Sequence, residues 1–182
     1  VEKCALLCDY YCEVAEKELS PRKISSGHKK SVVHYCPQGI IFAIMPWNYP
    51  FWQVMRFAVP NLIAGNTGLL KHSENVAGCA AEIEKLFLES GFPEGCFQNL
   101  FISHDQAEMV IGNDSVRGVT LTGSTKAGQK VVAIAGKHLK KTVLELGGSD
   151  AYIILEDADL DKTTDKVLQS RLLNNGQSCI AA

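Results

Sequence analysis

The 182-residue sequence predicts an α/β fold: a parallel sheet with helices on both faces. Three features point there. From Gly39 onward, short apolar runs alternate with stretches of helical periodicity, joined by short connections. Runs such as Ile40-Ile41-Phe42-Ala43-Ile44-Met45 are continuously apolar, as expected of a strand covered on both faces. Composition agrees, since 46% hydrophobic and 21% charged residues are ordinary for a globular chain with room for one domain and part of another.

In order along the chain, residues 2–19 are amphipathic at helical period, and Ser20-Pro21 ends that helix. Arg22 to Lys30 is basic, carries Ser25, Ser26 and Gly27, and reads as a loop; Ser31 to Tyr35 reads as a short strand. The strand at 40–45 runs into Pro46-Trp47-Asn48-Tyr49-Pro50 and then a helix from Phe51 to Ala64. Gly68 to Lys71 is the next strand, and residues 76–90 form a helix stopped at Gly91. Further strands are expected at Phe97–Ile102, Val116–Leu121, Thr142–Leu146 and Ala151–Leu155, with helices over 105–112, 125–139 and 160–173.

Several function classes drop out. A net charge of −2 gives no electrostatic case for nucleic acid or an anionic membrane. No apolar run approaches the roughly 18 residues of a membrane helix. Seven cysteines are an odd count with no Cys-x-x-Cys pair, so neither a disulfide framework nor a metal site is expected. Cys4, Cys8 and Cys12 recur every four residues and read as a buried stripe with Leu7, Tyr11, Ala15 and Leu19. Reduced thiols imply a cytoplasmic setting. The start, Val1-Glu2-Lys3-Cys4, reads as the interior of a longer chain.

The chemistry-bearing residues fall at the carboxyl ends of the expected strands, where open parallel sheets bind ligands. Cys179 sits on the turn Asn174-Asn175-Gly176-Gln177-Ser178-Cys179, and upstream stands Glu145-Leu146-Gly147-Gly148. A thiolate is a nucleophile, and a carboxylate nearby can take its proton; a cysteine alone is more often a small buried apolar residue. Asn48 lies in a proline-flanked turn, a common place for Asn without any function. Lys71-His72-Ser73-Glu74 closes one strand, where a lysine is usually a solvated charge. Thr122-Gly123-Ser124-Thr125-Lys126-Ala127-Gly128 joins a strand to a helix, whose N-terminus offers unpaired N–H groups to an anion. It is not the G-x-G-x-x-G fingerprint.

Glu145-Leu146-Gly147-Gly148 followed by Gly176-Gln177-Ser178-Cys179 resembles the signature of the aldehyde dehydrogenase superfamily. Pro46-Trp47-Asn48-Tyr49-Pro50 and Thr122-Gly123-Ser124 resemble its other blocks, in family order. The stretch Tyr49–Arg56 and Gly147-Gly148-Ser149-Asp150 is most similar to the succinate-semialdehyde dehydrogenase branch. The resemblance implies NAD(P)-dependent oxidation of an aldehyde to a carboxylate through a Cys179 thioester. Cys179 is then the nucleophile, Glu145 the base, and Asn48 with the Cys179 backbone N–H the oxyanion donors. Lys71 and Glu74 hold the adenosine ribose, Gly123, Ser124 and Gly128 the pyrophosphate turn, and Trp47 flanks the cofactor. A carboxylate at Glu74 accepts from a ribose 2′-OH and repels a 2′-phosphate, favouring NAD, with NADP as the alternative.

For an aldehyde with a carboxylate tail, Arg56 and Arg171 are candidate partners, against the ordinary alternative of surface salt bridges. The resemblance divides the chain into an N-terminal helix and loop of the cofactor domain (1–30), the start of an oligomerisation arm (31–38), an NAD-binding domain (39–149) and the beginning of a catalytic domain (150–182). It implies a central piece of a longer homo-oligomeric enzyme. An inactive structural piece, or a cofactor-independent thiol hydrolase using Cys179 and Glu145, remain as rival readings.

Overall fold

Five parallel strands form the centre of the computed structural model, which describes residues 1–181; Ala182, the last residue of the expected catalytic segment, lies outside the described residues. The strands are β3 (Ile40–Met45), β4 (Thr67–His72), β5 (Phe97–Asn99), β6 (Val116–Thr122) and β7 (Lys141–Glu145). Their order in the sheet is β5-β4-β3-β6-β7, so the sequence of additions reverses direction at β3. The predicted α/β class is what the structure shows.

The continuous apolar run of β3 has the burial it predicts. Ile41, Ala43 and Met45 enter one core with Val54, Phe57 and Ala58 of α2 (Pro50–Ile63) and Ala80, Ile83 and Phe87 of α3 (Ala77–Glu89). Ile40, Phe42 and Ile44 enter the other, with Ala107 and Ile111 of α4 (His104–Gly112) and Val131 and Ala135 of α5 (Thr125–Lys137). Alternate side chains of one strand thus serve both layers. Helix α1 (Glu2–Leu19) packs on α2. It stops at Ser20, which is extended (φ −64°, ψ 146°), as its neighbour Pro21 demands.

Several expectations change. The 125–139 helix ends at Lys137, and Leu139 takes φ 53°. The 22–30 loop begins with a two-residue strand, β1 (Arg22–Lys23), antiparallel to β2 (Val32–Val33), which is all that remains of the 31–35 strand. A ladder with no third strand stays short. The strand from Phe97 ends at Asn99, not Ile102, because the chain turns there into the capping box of α4, where Ser103 and Gln106 bond reciprocally.

Ala151–Leu155 is not a strand: among the described residues it pairs with none, and Ile153 is 84% exposed. Apolar, β-prone residues need an edge to pair with before they become a strand. The cysteine stripe also breaks. Cys4, Leu7, Cys8 and Tyr11 face the core, but Cys12 and Leu19 are exposed. Eight residues overshoot two helical turns by about 80°, so Tyr11 rather than Cys12 returns to the face of Cys4. Burial, with the neighbouring Cys12, Cys4 and Asp9, raises the Cys8 thiol above its ordinary pKa.

After β7 the chain runs through exposed residues to α6 (Leu160–Arg171), where the 160–173 expectation ends, and then a short 3-10 turn, Leu173–Gly176. Opposite, the face of β6 and β7 on the α2 side lines a groove of about 390 Å³, and Val143 lies open in it.

Candidate active site

Because all five strands run parallel, their carboxyl ends share one edge, and the loops leaving them meet there. Met45 stands beside His72, and Thr122 beside Glu145, in register. The Gly123 N–H donates to the Glu145 carbonyl at 2.9 Å, extending the β6–β7 ladder by one residue. A cavity of about 250 Å³ at this edge brings together Trp47, Asn48, Gly123, Ser124, Glu145 and Cys179. Six of the sequence-predicted residues therefore line one space. None of them is adjacent to all the others in sequence; the sheet edge assembles them.

The turn that carries Cys179 is joined to the loop after β3 by side-chain amides. Asn48 Nδ2 donates to the Gln177 carbonyl at 2.9 Å, and Asn174 Nδ2 donates to the Asn48 carbonyl at 2.8 Å. Because a carbonyl faces Nδ2, the orientation of the Asn48 amide is fixed by the bond rather than arbitrary. Close approach on the other side is made by Gly148, where a Cβ would stand 3.4 Å from the Cys179 carbonyl oxygen.

Glu145 faces two ways. It lines the Cys179 cavity and also the neighbouring groove, where its Oε2 is 3.7 Å from the Arg56 guanidinium. Both side chains are partly exposed, so the pair holds weakly, at about 0–1 kcal/mol. Arg171 is elsewhere: at the end of α6, its guanidinium reaches the Gly176 carbonyl of the Cys179 turn at 3.4 Å. Lys71 is inside β4 and 5% exposed, so it is not a solvated strand-end charge.

A second cleft, about 320 Å³, opens beyond β4 and β5, lined by His72, Ser73, Glu74, Asn99, Phe101 and Ser103 among others. Glu74 is exposed in the 3-10 turn Glu74–Val76. Asn99 was not singled out from sequence, yet both of its side-chain amide atoms are buried with no hydrogen-bond partner among the described residues. A buried, unpaired amide next to a cleft asks for a ligand or a water. Its only sequence signal is a polar residue at the carboxyl end of a strand.

His72 was missed too. Its Nδ1 lies 3.0 Å from the Ser73 backbone N and 3.1 Å from the Met45 carbonyl, and its Nε2 lies 3.0 Å from the Pro50 carbonyl. It fastens the Asn48 loop to the wall of this cleft. Ser124 caps α5 by accepting from Ala127 N–H at 3.2 Å, which leaves its own proton free to donate. Gly128 serves packing: a Cβ there would stand 2.8 Å from Leu146.

Residues 1–182 match the aldehyde dehydrogenase family, and the chain belongs to it. A Synechocystis protein named probable succinate-semialdehyde dehydrogenase (NADP+) is 50% identical over the whole chain, which covers 40% of that protein. The Mycobacterium leprae succinate-semialdehyde dehydrogenase (NADP+) is 49% identical, with 99% of this chain and 40% of that protein aligned. Succinic semialdehyde dehydrogenase from Streptococcus pyogenes, solved with NADP+, superposes with TM-score 0.95 at 43% identity, covering 98% of this chain and 39% of that one. The chain thus spans about 40% of the length of the curated relatives it matches.

Proposed function

We propose that this chain carries the dinucleotide-binding surface and nucleophile of an enzyme that oxidises succinate semialdehyde, or a similar small aldehyde, to the carboxylate. One observation supports the reading above others: Cys179, Asn48 and Glu145 line a single cavity, with the Asn48 amide held in one orientation. The Cys179 thiolate attacks the aldehyde carbon, and the N–H of Asn48 not used on Gln177, with the Cys179 backbone N–H, receives the developing oxyanion. Loss of hydride leaves an acyl thioester on Cys179. Glu145 then takes a proton from water, whose oxygen adds to the thioester carbonyl and releases the acid and the thiolate.

The residues suit a nicotinamide dinucleotide. The unpaired amide of Asn99 beside the second cleft, and the α5 N-terminus with the free Ser124 proton, are complementary to ribose hydroxyls and phosphate. Lys71 and Glu74 lie at the same strand end, Trp47 and Gly123 line the Cys179 cavity, and Gly128 is buried in the first turn of α5. The dinucleotide, when bound, supplies the hydride acceptor. Glu74 favours NAD over NADP in our reading, although the relatives named above carry NADP+ in their names. A cytoplasmic homo-oligomer, with residues 31–38 as its arm, completes the proposal.

Substrate choice rests on Arg56. A substrate carboxylate that reaches the guanidinium takes the place of Glu145 as its partner, leaving Glu145 to the thioester. Arg171 serves the nucleophile turn in this account, and the carboxylate falls to Arg56. In an enzyme containing this chain, Arg56→Ala should raise KM for succinate semialdehyde about tenfold or more, while an uncharged aldehyde of similar length keeps its KM. Equal losses for both aldehydes would remove the carboxylate role and leave Arg56 as a helix residue.

A further inference from the structure

The turn that presents Cys179 is strained and only lightly packed: Ser178 and Cys179 are half-buried and Ala181 is buried, but residues 172–175 are exposed. Asn174, Asn175 and Gly176 follow one another at φ 52°, 57° and 76°, a left-handed conformation that side chains other than glycine disfavour. Leu172, Leu173 and Ile180 around it are exposed. Polar contacts therefore carry much of what keeps Asn174 to Gly176 in place. The side-chain amide of Asn174 donates to the Asn48 carbonyl at 2.8 Å and approaches the Gln177 carbonyl at 3.5 Å. Gln177 accepts from Asn48 Nδ2 on its other side. The two asparagines thus form a reciprocal bridge, each reaching the backbone of the other's segment.

We propose that Asn174 is a positioning residue for the oxyanion site: its amide fastens the Asn48 backbone to the nucleophile turn, so that the free Asn48 N–H and Cys179 address the same carbonyl. This rests on the roles proposed above for Cys179 and Asn48. Asparagine suits the position twice over. It tolerates the left-handed region better than most side chains, and its Nδ2 has two protons for two carbonyls. Glycine meets only the first requirement. Aspartate also tolerates the backbone, but places an oxygen where the donor stood. The buried Asn48 Oδ1, without a partner among the described residues, shows that the Asn48 amide is turned for its Nδ2 contacts and not for its oxygen.

The test compares two reactions of Cys179 in the full chain, neither needing dinucleotide or aldehyde. In acylation by 4-nitrophenyl acetate, the thiolate forms a C–S bond to the carbonyl carbon through an oxyanion, and the C–O bond breaks to release nitrophenolate. In alkylation by iodoacetamide, iodide leaves with the electron pair and no oxyanion forms. Adducts on the Cys179 peptide are followed by mass spectrometry. Asn174→Gly should slow acylation about tenfold while alkylation changes less than about twofold, and Asn174→Asp should do the same. Asn48→Ala should show the same split, about 10²-fold, and the Asn48→Ala/Asn174→Gly double variant should be no slower than Asn48→Ala alone.

Acylation unchanged in Asn174→Gly, both reactions slowed equally, or fully additive losses would each overturn the proposal. So would a wild-type chain whose Cys179 is alkylated but never acylated, since no oxyanion site would then exist to be positioned. Failure of aldehyde oxidation, by contrast, bears on the dehydrogenase reading alone.

Discussion

Residues 39–145 and residues 146–181 are both rich in apolar side chains, yet the first segment buries many of them and the second leaves most of its own exposed, Leu146 and Ala181 excepted. In the first, Phe42, Leu70 and Ala43 are fully inaccessible, and every strand has a parallel neighbour. In the second, Ile153, Leu155 and Leu160 are exposed, and α6 buries no residue. Side-chain hydrogen bonds tie the second segment to the first at its far end: Asn48 to Gln177 and Asn174 to Asn48. The candidate site straddles this divide. The second cleft, proposed for the dinucleotide, is built wholly by the sheet half, whereas Cys179, the proposed nucleophile, belongs to the other half.

The contrast is sharpest in stability. Leu70→Ala in β4 removes a fully buried side chain and should cost about 2–5 kcal/mol by chemical denaturation. Ile153→Ala, at 84% exposure, should stay within about 0.5 kcal/mol. Equal losses would mean that 151–155 packs in solution and that the two segments do not differ as described. A smaller effect separates the segments by function. If the second cleft alone sets cofactor choice, Glu74→Gln should weaken the preference for NAD over NADP by roughly 5- to 150-fold, about 1–3 kcal/mol. The acylation rate of Cys179 should not change. Calorimetry that finds the same NAD to NADP ratio in both proteins would take Glu74 out of the account.

The same divide marks what could be read from sequence. Strand β3 was legible because six consecutive apolar residues admit few alternatives, and α1 because Pro21 fixes its end. The grouping of Asn48, Glu145 and Cys179 followed from short blocks whose order matches the family, and a parallel sheet then had to bring them to one edge. Ala151–Leu155 misled because strand propensity says nothing about the presence of a pairing edge. Asn99 and His72 went unseen for a different reason. An unpaired buried amide and a doubly bonded imidazole are facts of three-dimensional surroundings, and no spacing in the sequence encodes them. Arg56 was placed on the right helix, but its contact with Glu145 depends on the lateral position of β7, which periodicity does not give.

The central claim is that Cys179 forms the acyl thioester and Glu145 directs its hydrolysis. Glu145→Gln, in an enzyme containing this chain, tests both parts at once. Mixed with succinate semialdehyde and NAD, that variant should release about one equivalent of NADH in a burst and then stall, with a succinyl group on the Cys179 peptide by mass spectrometry. Steady turnover at the wild-type rate with no adduct would show that Glu145 is not the base. A burst with the acyl group on any other residue would show that Cys179 is not the nucleophile.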